Sequence, residues 1–179
     1  MVFNRTTSCY NVALSPLAIC AMPINHPDLH VRPEVPQDMD FLAQLYRSTR
    51  GDLLQLSLPE VMIDNLISMQ FNAQRTAYRT QFPDGEFLIV EKNGEPIGYL
   101  VTHHGNETIR LVCIAFLPDE RNRGYGRSLI QTLQNNAAGA AKTLALTVDP
   151  RNEQAKHLYL SLGFQVNSDD GANINMSWP

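Results

Sequence analysis

Cysteine is scarce in this sequence: Cys9, Cys20 and Cys113 stand at irregular spacing, with no Cys-x-x-Cys. So small and odd a set excludes a disulfide framework or a thiolate zinc site, and it suits a reducing compartment. Lysine is equally scarce, because eleven of the fourteen basic residues are arginine. Positive charge as a whole is in deficit, with eighteen acidic residues and a formal net charge of −4. Coating nucleic acid or an anionic membrane needs the opposite balance, so no nucleic-acid and no membrane partner is expected. No uncharged apolar run approaches the ~18 residues of a spanning helix. What is present is ordinary for one soluble domain: 179 residues, 44% hydrophobic and 18% charged. A chain of this length buries roughly 70% of its unfolded surface, enough for a core without staples.

The first 27 residues differ from the rest. They have no hydrophobic period and end in Pro23-Ile24-Asn25-His26-Pro27. A signal peptide would need Val12 to Ala21 as its apolar region, but Ser15 and Pro16 interrupt it and only Arg5 precedes it. Residues 1–27 therefore read as a poorly ordered extension, or a start codon assigned too early, and residues 28–179 as one domain.

From Leu29 the punctuation is regular. Leu29 to Arg32 reads as a strand stopped by Pro33. Pro36-Gln37-Asp38 opens a helix with Leu42, Leu45, Tyr46 and Thr49 at i, i+3, i+4 and i+7, ended by Gly51. Ser57-Leu-Pro-Glu60 reads as a capping box, opening a helix to about Tyr78 whose apolar face is Met62, Leu66, Met69 and Ala73. Phe87 to Glu91 and Ile97 to His104 flank an Asn93-Gly94 turn, a strong hairpin signal, and Thr108 to Leu117 continues the meander. Then the period changes: a helix (Leu129, Ile130, Leu133, Ala137), a strand (Thr143 to Val148), a second helix (Ala155, Leu158, Tyr159, Leu162) and two late strands. Strand and helix in alternation imply a crossover and a locally parallel pair. The fold class is mixed α/β with one central sheet.

The segment from Ile114 to Leu129 carries the chemistry. A strand ends at Pro118, an arginine-rich turn follows, and Gly124 and Gly126 sit where a helix begins. Glycine lets backbone approach a ligand closely, unpaired N–H groups at the helix start point outward, and the helix dipole favours an anion. Arg121, Arg123 and Arg127 add positive charge at the same place, which suits a pyrophosphate. After the next strand comes Asn152-x-x-Ala155-x-x-Leu158-Tyr159-x-x-Leu162-Gly163-Phe164. In these two linked segments the chain resembles the GNAT superfamily of acetyl-CoA-dependent N-acetyltransferases. Arg121, Gly124 and Gly126 stand at the Q/R-x-x-G-x-G/A positions of that family's pyrophosphate loop.

The resemblance implies the order β-α-α-β-β-β-α-β-α-β-β, acetyl-CoA as cosubstrate and no metal. It implies that backbone at Ile114, Ala115 and Phe116 bonds the acetyl carbonyl and the pantetheine arm. Backbone N–H groups of Asn122, Arg123, Gly124, Tyr125, Gly126 and Arg127 would cradle the pyrophosphate, with Asn152 against the cofactor's arm. Tyr159 would protonate the departing thiolate, although it also lies on the apolar face of its helix and could simply pack. The amine acceptor is not readable; the second helix, with Gln70, Arg75, Tyr78 and Arg79, would face it. A homodimer and a cytoplasmic address are the further expectations.

No general base is assigned. Arg110 and Thr147 stand where family members place glutamates, and neither accepts a proton at neutral pH. Glu86, His103 and Asp149 are the nearest substitutes, unless positioning of an already neutral amine supplies most of the rate. His103 and His104 cannot easily share a metal ion, since adjacent strand residues face opposite ways. Cys113 has no recognisable partner base. The missing glutamates motivate an alternative reading, a non-catalytic acyl-CoA-binding module of the same fold. A nucleotide-binding protein is disfavoured by the lack of G-x-G-x-x-G and G-x-x-x-x-G-K-S/T.

Overall fold

A computed structural model describes residues 24–179. The extension expected over residues 1–27 lies outside that range except for its last four residues. Seven strands form one sheet: β1 Leu29–Pro33, β2 Glu86–Lys92, β3 Glu95–His104, β4 Thr108–Phe116, β5 Thr143–Val148, β6 Gln165–Asp169 and β7 Ile174–Trp178. Their order across the sheet is β1-β2-β3-β4-β5-β7-β6, with β4 and β5 parallel and every other pair antiparallel. Among the described residues five α-helices cover it: α1 Met39–Ser48, α2 Gly51–Leu54, α3 Glu60–Gln81, α4 Tyr125–Gly139 and α5 Glu153–Ser161. The mixed α/β class and the expected order are met, with α2 as one short addition.

Strand alternation divides the core into two layers. Leu88, Val90 and Leu100 face α4 and α5, where they join Leu129, Ile130, Leu133 and Ala137 of α4, all buried. Ile89, Tyr99 and Val101 face the other way, against Leu42 and Leu45 of α1 and Phe71 of α3. Ile24 packs on the first layer, and the backbone N–H of Asn25 donates to Thr132 Oγ1 (3.3 Å), tying the first described residues to α4.

Three local expectations are corrected on the α1/α3 side. The first helix ends at Ser48, and Gly51 opens α2 rather than closing α1. Ser57 makes no capping box, because the residue before α3 is Pro59 and no side chain caps it. The buried face of α3 is Ile63, Ile67 and Phe71, while Met62 (52% exposed), Met69 (61%) and Ala73 lie toward solvent. Adjacent helical residues differ by about 100°, so two overlapping apolar stripes compete. The winner continues at the same four-residue step into Arg75 and Arg79, both of which bond the Glu34 carboxylate just after β1. Tyr99 Oη donates to Glu34 as well, at 2.7 Å. Burial pushes the Glu34 carboxyl up, but the bonds from Arg75 and Tyr99 outweigh it and hold the group below its ordinary range.

The feature that makes the site is in the middle of the sheet. β4 pairs with β5 only from Thr108 to Leu111. At that point β4 carries a bulge: Val101 of β3 opposes Cys113 while Thr102 opposes Leu111, leaving Val112 as the extra residue. A bulge bends its strand and interrupts pairing. Beyond it, residues 113–116 stay paired with β3 but have no partner on the β5 side, while β5 runs on to Val148 beside β7.

Candidate functional site

The gap between β4 and β5 opens into a cleft of about 690 Å³. That is within the ~300–1,000 Å³ range of small-molecule sites. Its floor is the unpaired edge of β4, with Ile114, Ala115 and Phe116 on the wall. A strand edge without a neighbour presents a row of free N–H and C=O groups, which an amide-bearing chain can meet as an added strand would. Phe116 reaches its place because Gly98 lies opposite. A Cβ at Gly98 would come within 2.7 Å of both the Ala115 carbonyl oxygen and the Phe116 ring.

One end of the cleft is the start of α4. Gly124 caps the helix with φ of +86°, a left-handed conformation that favours glycine, and Asn122 is left-handed too (φ +59°). The first backbone bond of the helix is Ser128 N–H to the Gly124 carbonyl. Among the described residues, no backbone N–H from 122 to 127 donates to another protein atom. These donors and the positive end of the helix dipole form an anion cradle. Gly126 is not required by packing, since an added Cβ would make ordinary 3.8 Å contacts with Leu158 and Phe116.

The predicted side chains divide into those aimed at the cleft and those engaged elsewhere. Asn122, Gly124, Tyr125, Gly126, Arg121 and Arg127 line it together with Asn152 and Tyr159, whereas Arg123 is not among the lining residues. Arg123 Nε donates to the Asp119 carbonyl (2.8 Å) and sits 3.5 Å from Glu120. Arg127 donates to Ser161 Oγ at 2.8 Å. Tyr125 is buried, edge-on to His26 and tilted against Phe116, so its ring is packing and its backbone alone faces the cradle. Asn152 uses its side-chain oxygen to cap α5 through Ala155 N–H (3.1 Å), which leaves its amide donors open to a ligand.

Tyr159 is 7% exposed, packs against Phe164 and makes no side-chain hydrogen bond among the described residues. Burial pushes its phenol up to about 12, so it holds its proton across the neutral range. The opposite bank is formed by Ser48, Thr49 and Gly51 at the α1–α2 corner. No local motif marks these residues; they arrive there only through tertiary folding.

The substitutes for a general base do not serve. Glu86 is buried at the far end of the sheet, where it accepts from Thr102 Oγ1 (3.1 Å) and lies 3.3 Å from His104 Nε2. His103 stacks on Phe82, on the other face from His104. Asp149 lines up with Arg151, whose guanidinium and backbone N–H pull the carboxyl down to about 2. The two positions expected to carry glutamates are brought together: Arg110 Nη2 donates to Thr147 Oγ1, and Thr147 donates to Asn175 Oδ1, each at 2.8 Å. Burial pushes the Cys113 thiol up to about 11, which leaves it a poor nucleophile. No group of three or more metal-ligating side chains that could hold an ion occurs among the described residues. None of the described helices is long and apolar enough to cross a membrane.

A model of the Acetyltransferase (GNAT) family matches residues 51–164, more than half of the chain. A curated relative, a UPF0039 protein of Schizosaccharomyces pombe, is 33% identical over 89 residues, covering 48% of this chain and 57% of its own. The chain thus spans little more than half the length of that relative. Among solved structures, the PaiA N-acetyltransferase of Thermoplasma acidophilum in complex with coenzyme A superposes with a TM-score of 0.62. It is 18% identical, over 83% of this chain and 97% of that one. An acetyltransferase of Thermus thermophilus gives 0.58 at 23% identity, over 83% and 94%. A GNAT family acetyltransferase of Elizabethkingia anophelis with acetyl-CoA bound gives 0.53 at 18%, over 85% and 98%. At these identities the structures speak for the fold, and the family model for descent: the chain belongs to the GNAT acetyltransferase family.

Proposed function

We propose that the protein is a cytoplasmic N-acetyltransferase that moves the acetyl group of acetyl-CoA to a primary amine, of a small molecule or of a protein or peptide, by direct attack in a ternary complex. The observation that carries this reading is the conjunction of an unpaired β4 edge with a helix start, shortly after it in the chain, whose N–H groups have no acceptor. One suits an amide-bearing arm and the other a pyrophosphate, and acyl-CoA has both. The similar structures in complex with coenzyme A and with acetyl-CoA bound support the same assignment.

Bound acetyl-CoA would supply an activated thioester; the chain's own groups do the rest. The backbone N–H groups of the 114–116 stretch that alternate away from β3 stabilise negative charge developing on the acyl oxygen. The N–H groups of 122–127 orient the phosphates without needing a side chain. Tyr159 keeps a proton ready beside the cleft for a departing sulfur, and Ile130, Leu158 and Phe116 keep the wall apolar around it. With Arg110 and Thr147 bonded to each other, no carboxylate is offered to the amine there, so orientation supplies the rate.

Titration calorimetry with acetyl-CoA tests the reading: micromolar binding, weakened by Gly124→Val and Gly126→Val, is expected, and no binding by the native protein would sink it. Tyr159→Phe should reduce turnover by ~10²-fold or more with little change in acetyl-CoA affinity. The second reading, a binding module without catalysis, rests on the Arg110–Thr147 bond. Tight acetyl-CoA binding with no thiol release over a panel of amines, polyamines, amino acids and peptides would favour it.

A further inference from the structure

We infer that Arg121 is a positioning residue that couples filling of the acyl-CoA cleft to the α1–α2 corner on its opposite bank. The inference rests on the acyl-CoA reading of the cleft. Arg121 starts on the phosphate loop, yet its guanidinium does not fold back onto that loop. Nε donates to the Phe116 carbonyl at 2.9 Å, at the open end of β4. Nη2 donates to the Ser48 carbonyl at 3.2 Å and to Ser48 Oγ at 2.9 Å, across 73 residues of sequence. Ser48 is the last residue of α1, so its carbonyl is among those the helix leaves unpaired, at the negative end of the dipole. One planar cation therefore caps the helix that forms the opposite bank and pins the strand end that forms the floor.

Thr49 and Gly51, which follow Ser48 closely, line the same cleft. Where they stand is set by a side chain from the cofactor's side of the cleft. Arg121 is exposed in the structure, and exposed charge-assisted contacts are weak because water competes for them. Filling the cleft removes that water, and the same three bonds strengthen in the drier surroundings. Cofactor occupancy thus firms the α1–α2 corner.

Hydrogen exchange on the full chain, with and without coenzyme A, tests this. In the native protein coenzyme A should slow exchange several-fold over residues 45–54. Arg121→Ala, at a coenzyme A concentration that calorimetry shows to saturate it, should lose that protection, and Arg121→Lys, which keeps one point donor, should restore part of it. Full protection in Arg121→Ala overturns the inference. So does loss of coenzyme A binding in Arg121→Ala with unchanged exchange at the corner, since the arginine would then be a phosphate ligand. Should the native protein bind no coenzyme A, the acyl-CoA reading fails by itself. The strut is then judged on the free proteins: faster exchange over 45–54 in Arg121→Ala supports it, and equal exchange overturns it.

Discussion

The two faces of the sheet are held in different ways. Toward α4 and α5 the layer is one continuous apolar core running from Leu29 to Met176, with most contacts made by aliphatic side chains. Toward α1 and α3 the buried apolar set is smaller, and a polar network around Glu34 ties β1, β3 and α3 together. The first kind of face follows from local periodicity, since each helix there needs only one apolar stripe. The second depends on partners 41 to 65 residues apart, so its geometry is decided by the whole fold. The start of α4, with its free N–H groups, belongs to the first face, and the bank of Ser48, Thr49 and Gly51 to the second.

Substitutions can break or sharpen this contrast. The largest loss is expected for Leu133→Ala, which empties a nearly fully buried position on the α4 face. It should cost about 3 kcal/mol in urea unfolding. Gly98→Ala should cost about 2 kcal/mol, because the new Cβ collides with backbone at Ala115 and with Phe116. It should also weaken acetyl-CoA binding, by tilting the floor of the cleft; calorimetry reads this directly. Glu34→Gln should cost about 1–2 kcal/mol after allowance for the partial exposure of Arg79. Because the Glu34 carboxyl is held below its ordinary value near 4.5, its stabilisation is fully present above that pH and is lost as pH falls through the lowered value. The acid limb of a stability–pH curve should therefore be shallower in Glu34→Gln than in the native protein. Smallest of all, Met69→Ser should change stability by less than about 0.5 kcal/mol, although the hydrophobic pattern alone marks it as core.

How much of this was legible beforehand follows the same division. β5 has the bounds its apolar run implies, Thr143 to Val148, and Leu129, Ile130, Leu133 and Ala137 are all buried as their spacing implies. Gly124 was legible because the start of a helix after a turn is a local feature, and the structure adds that it stands there in a left-handed conformation. The rotation of α3 was not, because two stripes one residue apart differ only in which one ends at Glu34. The roles of the arginines were also beyond reach: Arg121, Arg123 and Arg127 look alike in sequence but bond a helix end, a turn carbonyl and a serine. Nor could Ser48, Thr49 and Gly51 be found, since nothing in their neighbours sets them opposite Asn152 and Tyr159.

Val112 changes the parity of β4. With it, Val112 and Cys113 both face α1 and α3, and Ile114 and Phe116 return to the face that Ile109 and Leu111 occupy. Deleting Val112 would leave every flanking residue on its present face and restore regular pairing with β3, so both core layers would survive. What would disappear is the reason for β4 to leave β5. The strands could then zip together along their length, and the cleft would close into ordinary sheet. A single surplus residue thus separates an open β4 edge from a sheet paired along its whole length.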